Sequence, residues 1–412
     1  MPTSLLGIHM NHPSPAVADN RKLSSRQFNL LVVGLLTVAV GQSFIFAILP
    51  PLGREVNLSV VQINSMIACS ALVFSVASPS WGRLSDRVGR KPVIVAGLAG
   101  YALGNLIFAL AFEAAFAGWV TGTGLFASLL MVRCLQSVMM SGTNPGSTAY
   151  TADHSAPQHR TRALARLGTA SSVGMIIGPI LAGALAGMGL LFPLYCATAL
   201  AAIAAVVVWR YLPASISLAS HGKTRRKLSV FDHRLRLYLF CSFGGFTGFA
   251  GIQQTLAFRI QDMLQLSGAE TAQYTGFALM ITALCTLAMQ LTVAQRFQGP
   301  PLTLIRGGVL FLMAGPMLIA VPGSFTLVLL GMACLGTGLG LAVPAIAAAA
   351  SLAVDPEEQG GAAGLITACP AAGFVIGPIV CGSLYEFDPT LSAIGAAVIL
   401  LAVAITAFKP TS

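Results

Sequence analysis

Residues 174–185 read GMIIGPILAGAL and residues 373–384 read GFVIGPIVCGSL, so one pattern returns after 199 residues. Glycines four residues apart let another helix backbone approach closely, and a proline can kink a helix. At the same displacement Pro145 matches Pro344. A repeat over this distance predicts two equivalent halves. The repeated positions are Gly174, Gly178, Pro179 and Gly183 in the first copy and Gly373, Gly377, Pro378 and Gly382 in the second.

Both copies lie in apolar runs that are long enough to cross a membrane. Only 9% of the 412 residues are charged and 56% are hydrophobic, whereas a soluble domain carries about 25% charged residues. This composition argues against a water-soluble enzyme, a disordered chain and a fibrous protein. A membrane-spanning helix needs about 20 apolar residues. The twelve candidate runs are residues 28–49, 63–81, 93–112, 120–150, 167–187, 190–209, 237–258, 272–294, 304–321, 325–341 with an extension to 350, 362–384 and 391–408.

These runs are continuously apolar, which favours helices over the alternating strands of a β-barrel. The first copy of the repeat lies in the fifth run and the second copy in the eleventh, so one repeat contains six spans. An even number of spans keeps both repeats in the same orientation. The sequence therefore predicts an all-α polytopic membrane protein. Its twelve transmembrane helices form two six-helix halves related by pseudo-two-fold symmetry about the membrane normal.

The positions of the basic residues explain the net charge of +10. With the N-terminus inside the cell, 20 of the 23 lysines and arginines lie in predicted cytoplasmic segments. Arg54 and Arg259 fall on the other side, and Arg133 lies within a span. This bias predicts a multi-pass protein of a bacterial-type inner membrane with both termini in the cytoplasm. No nucleic-acid partner is needed to explain the charge.

The same pattern divides the chain into segments. A basic linker joins the two halves, and its cluster fits a solvated segment held near anionic lipid headgroups, with a specific lipid site as the alternative. The first tail is polar and does not resemble a signal peptide. We expect the chain to act as a monomer in the lipid bilayer. The segments are residues 1–27 (cytoplasmic tail), 28–212 (N-terminal bundle), 213–236 (cytoplasmic linker), 237–408 (C-terminal bundle) and 409–412 (cytoplasmic tail).

The loop after the second span reads WGRLSDRVGRK over residues 81–91. Its two glycines allow a tight turn between adjacent helices. Asp86 is one acid among four bases, so it needs a positive partner. Two partners are physically sensible, a neighbouring arginine or the positive N-terminal end of another helix.

This loop resembles the signature loop of the major facilitator superfamily, which lies between spans two and three. The matching residues are Gly82, Asp86, Arg87, Gly89, Arg90 and Lys91. Residues 174–183 resemble the antiporter motif of the family, which is associated with exporters. Arg133 and Gln136 resemble its fourth-span motif, although Ser137 stands where that motif usually has glycine. The acid and base that often follow it are matched by Asp153 and Arg160.

The resemblance implies conformational roles for two of these motifs. Asp86 would lock the cytoplasmic side by facing the start of the eleventh span, near Gly361. Gly178 and Pro179 would seal the periplasmic side or shape a bend. The corresponding loop of the second half, residues 295–299, lacks the acid and most of the bases. Any lock of this kind therefore belongs mainly to the first half.

Arg133 is the only charge predicted deep in the membrane, where burial is costly unless hydrogen-bond partners are present. The resemblance implies that it takes part in proton coupling, and binding of backbone carbonyls at a bent helix is the alternative. No acid is predicted inside a span, because we assign Glu55, Glu113 and Asp262 to periplasmic loops. Coupling would then use acids near the cytoplasmic side. The coupling candidates are Arg133, Gln136, Asp153 and Asp86, and the proton carrier is left open.

Neutral polar side chains inside spans are candidates for a substrate cavity, because an amide in hydrocarbon is costly unless it is hydrogen-bonded. Gln42 lies in the first span and Gln253 in the seventh, which occupy corresponding places in the two halves. Hydrogen bonding between helices without ligand contact is the alternative. The candidates are Gln42, Asn105, Gln136, Asn144, Tyr150, Gln253, Gln254 and Gln290.

Together these features predict secondary active export of small organic or amphipathic compounds such as drugs, in exchange for protons and by alternating access. Two alternatives are a dedicated exporter of a metabolite, such as an anionic siderophore held by Arg133, and a proton-coupled uptake carrier. No HExxH, P-loop or GxSxG constellation occurs, so no enzyme is predicted. The eight cysteines lie in apolar runs without a C-x-x-C pair, so no metal or cofactor is expected.

Overall fold

The computed structural model describes residues 24–155, 157–214, 229, 231–355 and 358–409. Over these ranges every regular element is a helix. The helices are α1 Ser25–Glu55, α2 Val60–Val88, α3 Arg90–Phe116, α4 Gly122–Met140, α5 Thr143–Asp153, α6 Pro157–Ala186, α7 Phe192–Tyr211, α8 Arg236–Leu264, α9 Gly268–Met289, α10 Pro301–Ala320, α11 Phe325–Leu352, α12 Gln359–Phe387 and α13 Pro389–Phe408, and a π-helical turn, Gln290–Ala294, follows α9.

Twelve helical stretches of the described chain have the length of a membrane span. Eleven are also apolar enough to cross a membrane, with α4 and α5 taken together as Gly122–Asp153. The twelfth, α8, has 29 residues, but glycines, threonines and glutamines lower its hydropathy. Its polar residues Gln253 and Gln254 are buried, so they face protein and not lipid. The predicted all-α architecture is confirmed.

Several helices extend beyond the apolar runs from which they were predicted. Glu55, Glu113 and Asp262 are helical residues, so their assignment to loops was wrong. Arg54 lies beside Glu55 at the end of α1, and Arg259 lies near Asp262 at the end of α8. Backbone hydrogen bonding does not depend on hydropathy, so a helix continues past the hydrocarbon layer where its polar side chains reach water or one another.

The fourth predicted span is broken into two helices, α4 and α5. Ser141 and Gly142 lie between them, and the hydroxyl of Ser141 donates back to the carbonyl of Val138 over 2.8 Å. Pro145 has no N–H with which to bond the carbonyl of Ser141, so a continuous helix would lose a hydrogen bond here. The sequence analysis identified Pro145 within the fourth predicted span, but it did not predict that the helix breaks there.

The first helices of the two halves, α1 and α8, end in equivalent turns. Residues 54–62 read REVNLSVVQ and residues 262–270 read DMLQLSGAE, a displacement of 208 residues. In each turn one residue takes a positive φ, 57° and 54° respectively, and a serine then forms a capping box on the next helix. These residues are Asn57 and Gln265, followed by Ser59 and Ser267.

Phe44, Phe108 and Phe112 lie in an apolar core of the first half, which Phe258 and Tyr385 of the second half also enter. Leu335 and Leu400 lie in a core of the second half. We call the side of the bundle on which α1 begins and α13 ends the terminus side. The opposite side, on which α1 and α8 end, is the distal side.

Candidate functional site

A cavity of about 360 Å³ lies between the two halves. Its walls come from α1 and α6 of the first half and from α8, α9, α11 and α12 of the second. Ligand pockets commonly measure about 300–1,000 Å³, so this cavity can hold a small organic molecule. Within the part of the chain that the structure describes, none of the lining side chains carries a charge.

Four phenylalanines line the cavity: Phe46 from α1, Phe246 and Phe249 from α8, and Phe374 from α12. The rings of Phe46 and Phe374 stack across the two halves, with centroids 6.0 Å apart and an interplanar angle of 23°. Phe249 meets Phe374 edge-on, at 6.4 Å and 82°. Aromatic rings offer a large apolar contact area and faces that attract cations. The cavity wall therefore suits amphipathic molecules.

The polar part of the lining is sparse, and much of it joins helices. On α9 the hydroxyls of Thr282 and Thr286 donate to the carbonyls of Met332 and Gly336 on α11, over 3.0 and 2.9 Å. Gln253 is 6% exposed, and its Oε1 has no hydrogen-bond partner among the described residues. A buried unpaired amide is costly. Gln253 is therefore the lining side chain best placed to bind a polar group of a ligand.

Two of the predicted cavity residues, Gln253 and Gln290, line the cavity. Gln290 begins the π-helical turn after α9 and extends the lining toward the terminus side. Such turns inside helices are frequent at functional sites.

Three other candidates do not reach the cavity. Gln254 is fully buried, and neither of its amide atoms has a partner among the described residues. Asn144 is exposed on α5. The ring of Tyr150 stacks on His154 at 4.2 Å, and its hydroxyl donates to the carbonyl of Pro213 over 3.4 Å. The break before α5 changes the direction in which these last two side chains point, and the sequence did not predict it.

Arg133 lies on α4 in a buried network of amides and is 2% exposed. Its guanidinium donates to Oε1 of Gln136 and, over 3.0 Å, to Oε1 of Gln42 on α1. Gln136 donates in turn to Oδ1 of Asn105 on α3 over 2.7 Å. The sequence singled out all four residues, and the structure brings them together beside the cavity and not in its lining. Among the described residues no carboxylate pairs with this charge.

The charges of the loop motif form a cluster around Arg90, which is 6% exposed. Arg90 donates to the carboxylate of Asp86, to Oδ2 of Asp153 on α5 over 3.0 Å and to the hydroxyl of Ser85 over 2.8 Å. Gly89 has a φ of 95°, which glycine adopts without strain, so α3 can begin directly after α2. The side chain of Asp86 is 61% exposed, and its partner in the described chain is Arg90 and not α12. Asp86 and Asp153 thus meet within one half.

The remaining residues of this motif lie near the surface of the loop. Arg87 is exposed, whereas Gly82 and Lys91 are half-buried. A side chain added at Gly82 would meet nothing within 4 Å. These positions leave the positive charges free to face water or lipid headgroups.

The described end of the linker is fastened to the second half by Arg234. Its guanidinium donates to Oδ2 of Asp232 over 2.9 Å and lies 2.9 Å from Oε2 of Glu358, at the start of α12. Hydrogen bonds from the side chain and backbone of Arg234 lower the pKa of Asp232 to about 2. Asp232 therefore keeps its charge throughout the physiological pH range.

Two of the repeated glycines hold helices together within each half. A Cβ on Gly178 would collide with Ser43 of α1, and a Cβ on Gly377 would collide with the backbone of Thr247 on α8. The preceding glycines of the repeat make similar close approaches to the same first helices, Gly174 to Ala39 and Gly373 to Phe246. The repeat therefore sets the packing of α6 on α1 and of α12 on α8.

The third glycine of each copy faces the opposite half. A Cβ on Gly183 of α6 would lie 3.0 Å from Cα of Gln273 on α9, and a Cβ on Gly382 of α12 would collide with the amide of Asn64 on α2. Both crossings are near the distal ends of α6 and α12. They let the helices of the two halves approach closely enough to close the bundle on that side.

An ion pair between Arg54, at the end of α1, and Asp262, at the end of α8, joins the halves at the same side. Both terminal nitrogens of Arg54 donate to the Asp262 carboxylate, one of them over 2.8 Å. Arg54 also donates to Oε1 of Gln261 over 3.2 Å, and Tyr385 of α12 donates its hydroxyl to Oδ2 of Asp262 over 2.6 Å. One carboxylate therefore binds α1, α8 and α12 together.

A second polar contact lies beside this ion pair. The backbone N–H of Val61, at the start of α2, donates to Oε1 of Glu386 on α12 over 2.9 Å. These hydrogen bonds between the two halves lie together on the distal side. The cavity is closed toward that side.

The sequence predicted neither partner of the ion pair, although a signal was present. Arg54 is one of two basic residues that the sequence places on the periplasmic side. Asp262 follows it by 208 residues, the displacement that relates the equivalent turns. Comparison of those turns would have paired the two positions.

Comparisons with known proteins agree with this architecture. The model of the Major Facilitator Superfamily matches residues 31–378. Multidrug resistance protein 1 of Bacillus subtilis (strain 168) is 26% identical over 369 residues, which cover 87% of this chain and 90% of the relative. Quinolone resistance protein NorA of Staphylococcus aureus is 22% identical over 384 residues, covering 90% and 94%.

Solved structures show the same fold at low identity. A mutant of the nucleoside transporter NupG has a TM-score of 0.73 at 13% identity and covers 93% of this chain and 100% of its own. A bacterial homologue of the human lysosomal transporter Spinster, inward-facing and occupied, has a TM-score of 0.72 at 15% identity, covering 93% and 96%. The family model spans most of the length of this chain, and the helices of this chain form the two halves that these transporters have. This chain therefore belongs to the Major Facilitator Superfamily.

Proposed function

We propose that the chain is a secondary active transporter that exports small amphipathic compounds in exchange for protons. The observation that carries the proposal is the uncharged, aromatic cavity between the two halves, closed on its distal side. In alternating access, two repeats rock about a site at their interface, so that the site opens to one side at a time. A receptor or a scaffold needs no such cavity.

We place the terminus side in the cytoplasm of a bacterial-type inner membrane, because the basic residues concentrate there. We assign the predicted tails, residues 1–27 and 409–412, and the predicted linker, residues 213–236, to the same side. The arrangement described above is then inward-facing, since the cavity is closed toward the periplasm. Because the cavity lies within one chain, a single copy suffices for transport.

The substrate class follows from the lining. Four phenylalanines and the unpaired Oε1 of Gln253 suit flat molecules that carry a hydrogen-bond donor. The relatives from Bacillus and Staphylococcus are named for multidrug and quinolone resistance, which supports drugs as substrates. The buried charge of Arg133 favours an anionic metabolite as a second candidate, although it stands outside the cavity lining.

We further propose that Arg133, Gln136 and Gln42 couple movement of α1 to α4. An arginine does not release its proton under physiological conditions, so this network orients helices while an acid exchanges the proton. Arg133→Gln should lower proton-coupled transport by about tenfold, because the charged hydrogen bonds that it loses each contribute about 1.5–3 kcal/mol. Full coupled transport by this variant would reduce Arg133 to a packing role.

Everted membrane vesicles test the proposed function. Addition of a substrate to vesicles with an acidic lumen should release protons from the lumen, and the release should be absent without the protein. Organic cations, neutral compounds and organic anions would be tried in parallel, so that drug and metabolite export are separated. No response across all three classes would contradict antiport, and proton movement in the reverse direction would favour uptake.

A further inference from the structure

The distal ion pair joins structurally equivalent positions of the two halves. Arg54 and Asp262 are separated by 208 residues, the displacement that also relates Asn57 to Gln265 in the turns that follow. Equivalent positions of two halves related by a two-fold axis come into direct contact only near that axis. The pair therefore marks the point where α1 and α8 meet, at the closed end of the path between the halves.

The groups around Asp262 stabilise its charged form. Arg54 supplies two N–H donors from α1, and Tyr385 supplies a hydroxyl from α12. Arg259, on the preceding turn of α8, attracts the carboxylate electrostatically and donates to two carbonyls of α10 at 3.4 Å. Gln261, on the same helix, shares the Arg54 guanidinium. A protonated carboxyl would lose its attraction to both arginines and could not accept all of these hydrogen bonds.

The other acids at this end have different partners. Glu55 lies against Gly268 at the start of α9. Glu386 accepts the N–H of Val61, and Asp388 caps α13. Of the distal acids in the described ranges, Asp262 is the one whose charge binds an arginine of the opposite half.

The carboxylate is also within reach of water. The side chain of Asp262 is 39% exposed and that of Arg54 is 26% exposed, and neither residue lines the cavity. A proton from the distal medium can therefore reach Asp262 without passing through the substrate site.

We propose that Asp262 is a proton-binding site that controls the distal closure. While its carboxylate is charged, it holds Arg54 and keeps the halves together at this end. A proton taken from the distal medium onto a carboxylate oxygen breaks the ion pair, and the halves separate there. Because only the charged carboxylate stabilises the closure, that stabilisation is present at neutral pH and is lost as the pH falls. The link to transport rests on the proposed proton coupling, whereas the acid response does not.

Distances between the two halves test the proposal on the full chain in lipid nanodiscs. Spin labels carried by a ketone-bearing amino acid at Trp119 and Pro322, both exposed on distal loops, leave the native cysteines in place. Burial raises the pKa of the Asp262 carboxyl, but hydrogen bonds from Arg54 and Tyr385 outweigh burial and hold this pKa below its ordinary value. Electron–electron distances would therefore be measured from about pH 8 to about pH 3, a range that passes below the ordinary pKa of an aspartate. The long-distance population should rise roughly two- to tenfold on acidification, as the closure loses its charged carboxylate.

Three variants separate the titration of Asp262 from a merely structural role. Asp262→Asn should give the long distance already at about pH 8 and show no response to acid, because the amide imitates a protonated carboxyl. Tyr385→Phe keeps the ion pair but removes a donor to the carboxylate, so its transition should move to higher pH. Glu113→Gln is the matched control: Glu113 also accepts a tyrosine hydroxyl, that of Tyr195 at 2.5 Å, but within one half. Its acid response should equal that of the unmodified chain.

An acid response that survives Asp262→Asn, or no acid response in the unmodified chain, would overturn the proposal. If Asp262→Asn does not fold, an unchanged pH midpoint in Tyr385→Phe would overturn it as well. The vesicle assay tests the proposed function independently of this proposal. If acid opens the distal closure but substrate does not drive proton release, antiport is contradicted and the role of Asp262 in the distal closure is not. If substrate drives proton release but the distances between the labels do not depend on pH, the role of Asp262 in the distal closure is contradicted and antiport is not.

Discussion

The two sides of the bundle use their charges in different ways. On the distal side Arg54 and Asp262 belong to different halves, and their ion pair joins them. On the terminus side Arg90 binds Asp86 and Asp153, which belong to its own half. The same kind of interaction joins the two halves at the distal end, whereas on the terminus side it lies within one half.

The difference also has a sequence origin. The distal pair arises from equivalent turns at the ends of α1 and α8, so both halves contribute one charge. The terminus-side cluster arises from a loop, residues 81–91, whose counterpart at residues 295–299 has no acid. The first half alone therefore supplies the charges of this cluster, and each of them can be changed without altering the distal closure.

Reversing the charge of Arg54 should have the largest effect. Arg54→Glu places a carboxylate against Asp262, and like charges brought together cost several kcal/mol, so transport should fall by about tenfold or more. Substrate efflux from energised cells would measure this, with the amount of protein in the membrane checked in parallel.

The exchanged pair is the control for this charge reversal. Arg54→Asp combined with Asp262→Arg restores opposite charges at equivalent positions and should recover part of the transport. Recovery should be incomplete because Tyr385 would no longer face a carboxylate. If Arg54→Glu transports normally, the ion pair does not hold the closure.

Bulk at the crossing of the halves should have the next largest effect. Gly183→Leu forces α6 away from Gln273, and overpacking costs about 1–3 kcal/mol, so transport should fall by about tenfold. Gly168→Leu on the same helix meets open space and should transport at the original rate. Equal activity of the two variants in an efflux assay would show that transport does not require the close approach of α6 to α9 at Gly183.

Removing the acid of the loop motif should have a smaller effect. Asp86→Asn weakens an exposed ion pair of the kind that contributes up to about 1 kcal/mol, so transport should fall by about two- to fivefold with membrane insertion intact. Arg83→Gln, in the same loop but bonded to Ser80, should behave like the unmodified chain. Normal transport by Asp86→Asn would mean that the terminus side closes without this acid.

Changing the cavity should have the smallest effect on rate and the clearest effect on selectivity. Gln253→Leu removes an acceptor that contributes about 1 kcal/mol, so KM should rise by about fivefold for substrates with a hydrogen-bond donor. Substrates without a donor should keep their KM. An equal change for both kinds of substrate would place Gln253 in packing and not in recognition.

The fold could be predicted from the sequence because the apolar runs and the pattern repeated after 199 residues are properties of the sequence itself and need no knowledge of contacts. Arg133, Gln136, Gln42 and Asn105 were also singled out, since a polar group in an apolar run needs a partner. Their mutual contacts could not be predicted, because they depend on how α1, α3 and α4 rotate about their own axes.

The distal ion pair escaped prediction for a related reason. Arg54 and Asp262 stand beyond the apolar runs, and hydropathy alone assigns such residues to loops. Their contact joins positions that are far apart in the chain, so only the symmetry of the two halves relates them. The break between α4 and α5 likewise moved Asn144 and Tyr150 away from the cavity.

Two distances measured in the same preparation test the central claim, that the bundle closes at one side when it opens at the other. One label pair would span the distal side at Trp119 and Pro322, and another would span the terminus side at Arg210 and Gln298, which are all exposed. Acid or substrate should lengthen the distal distance while it shortens the terminus-side distance. Distances that lengthen together, or that change independently, would contradict alternating access between these two sides.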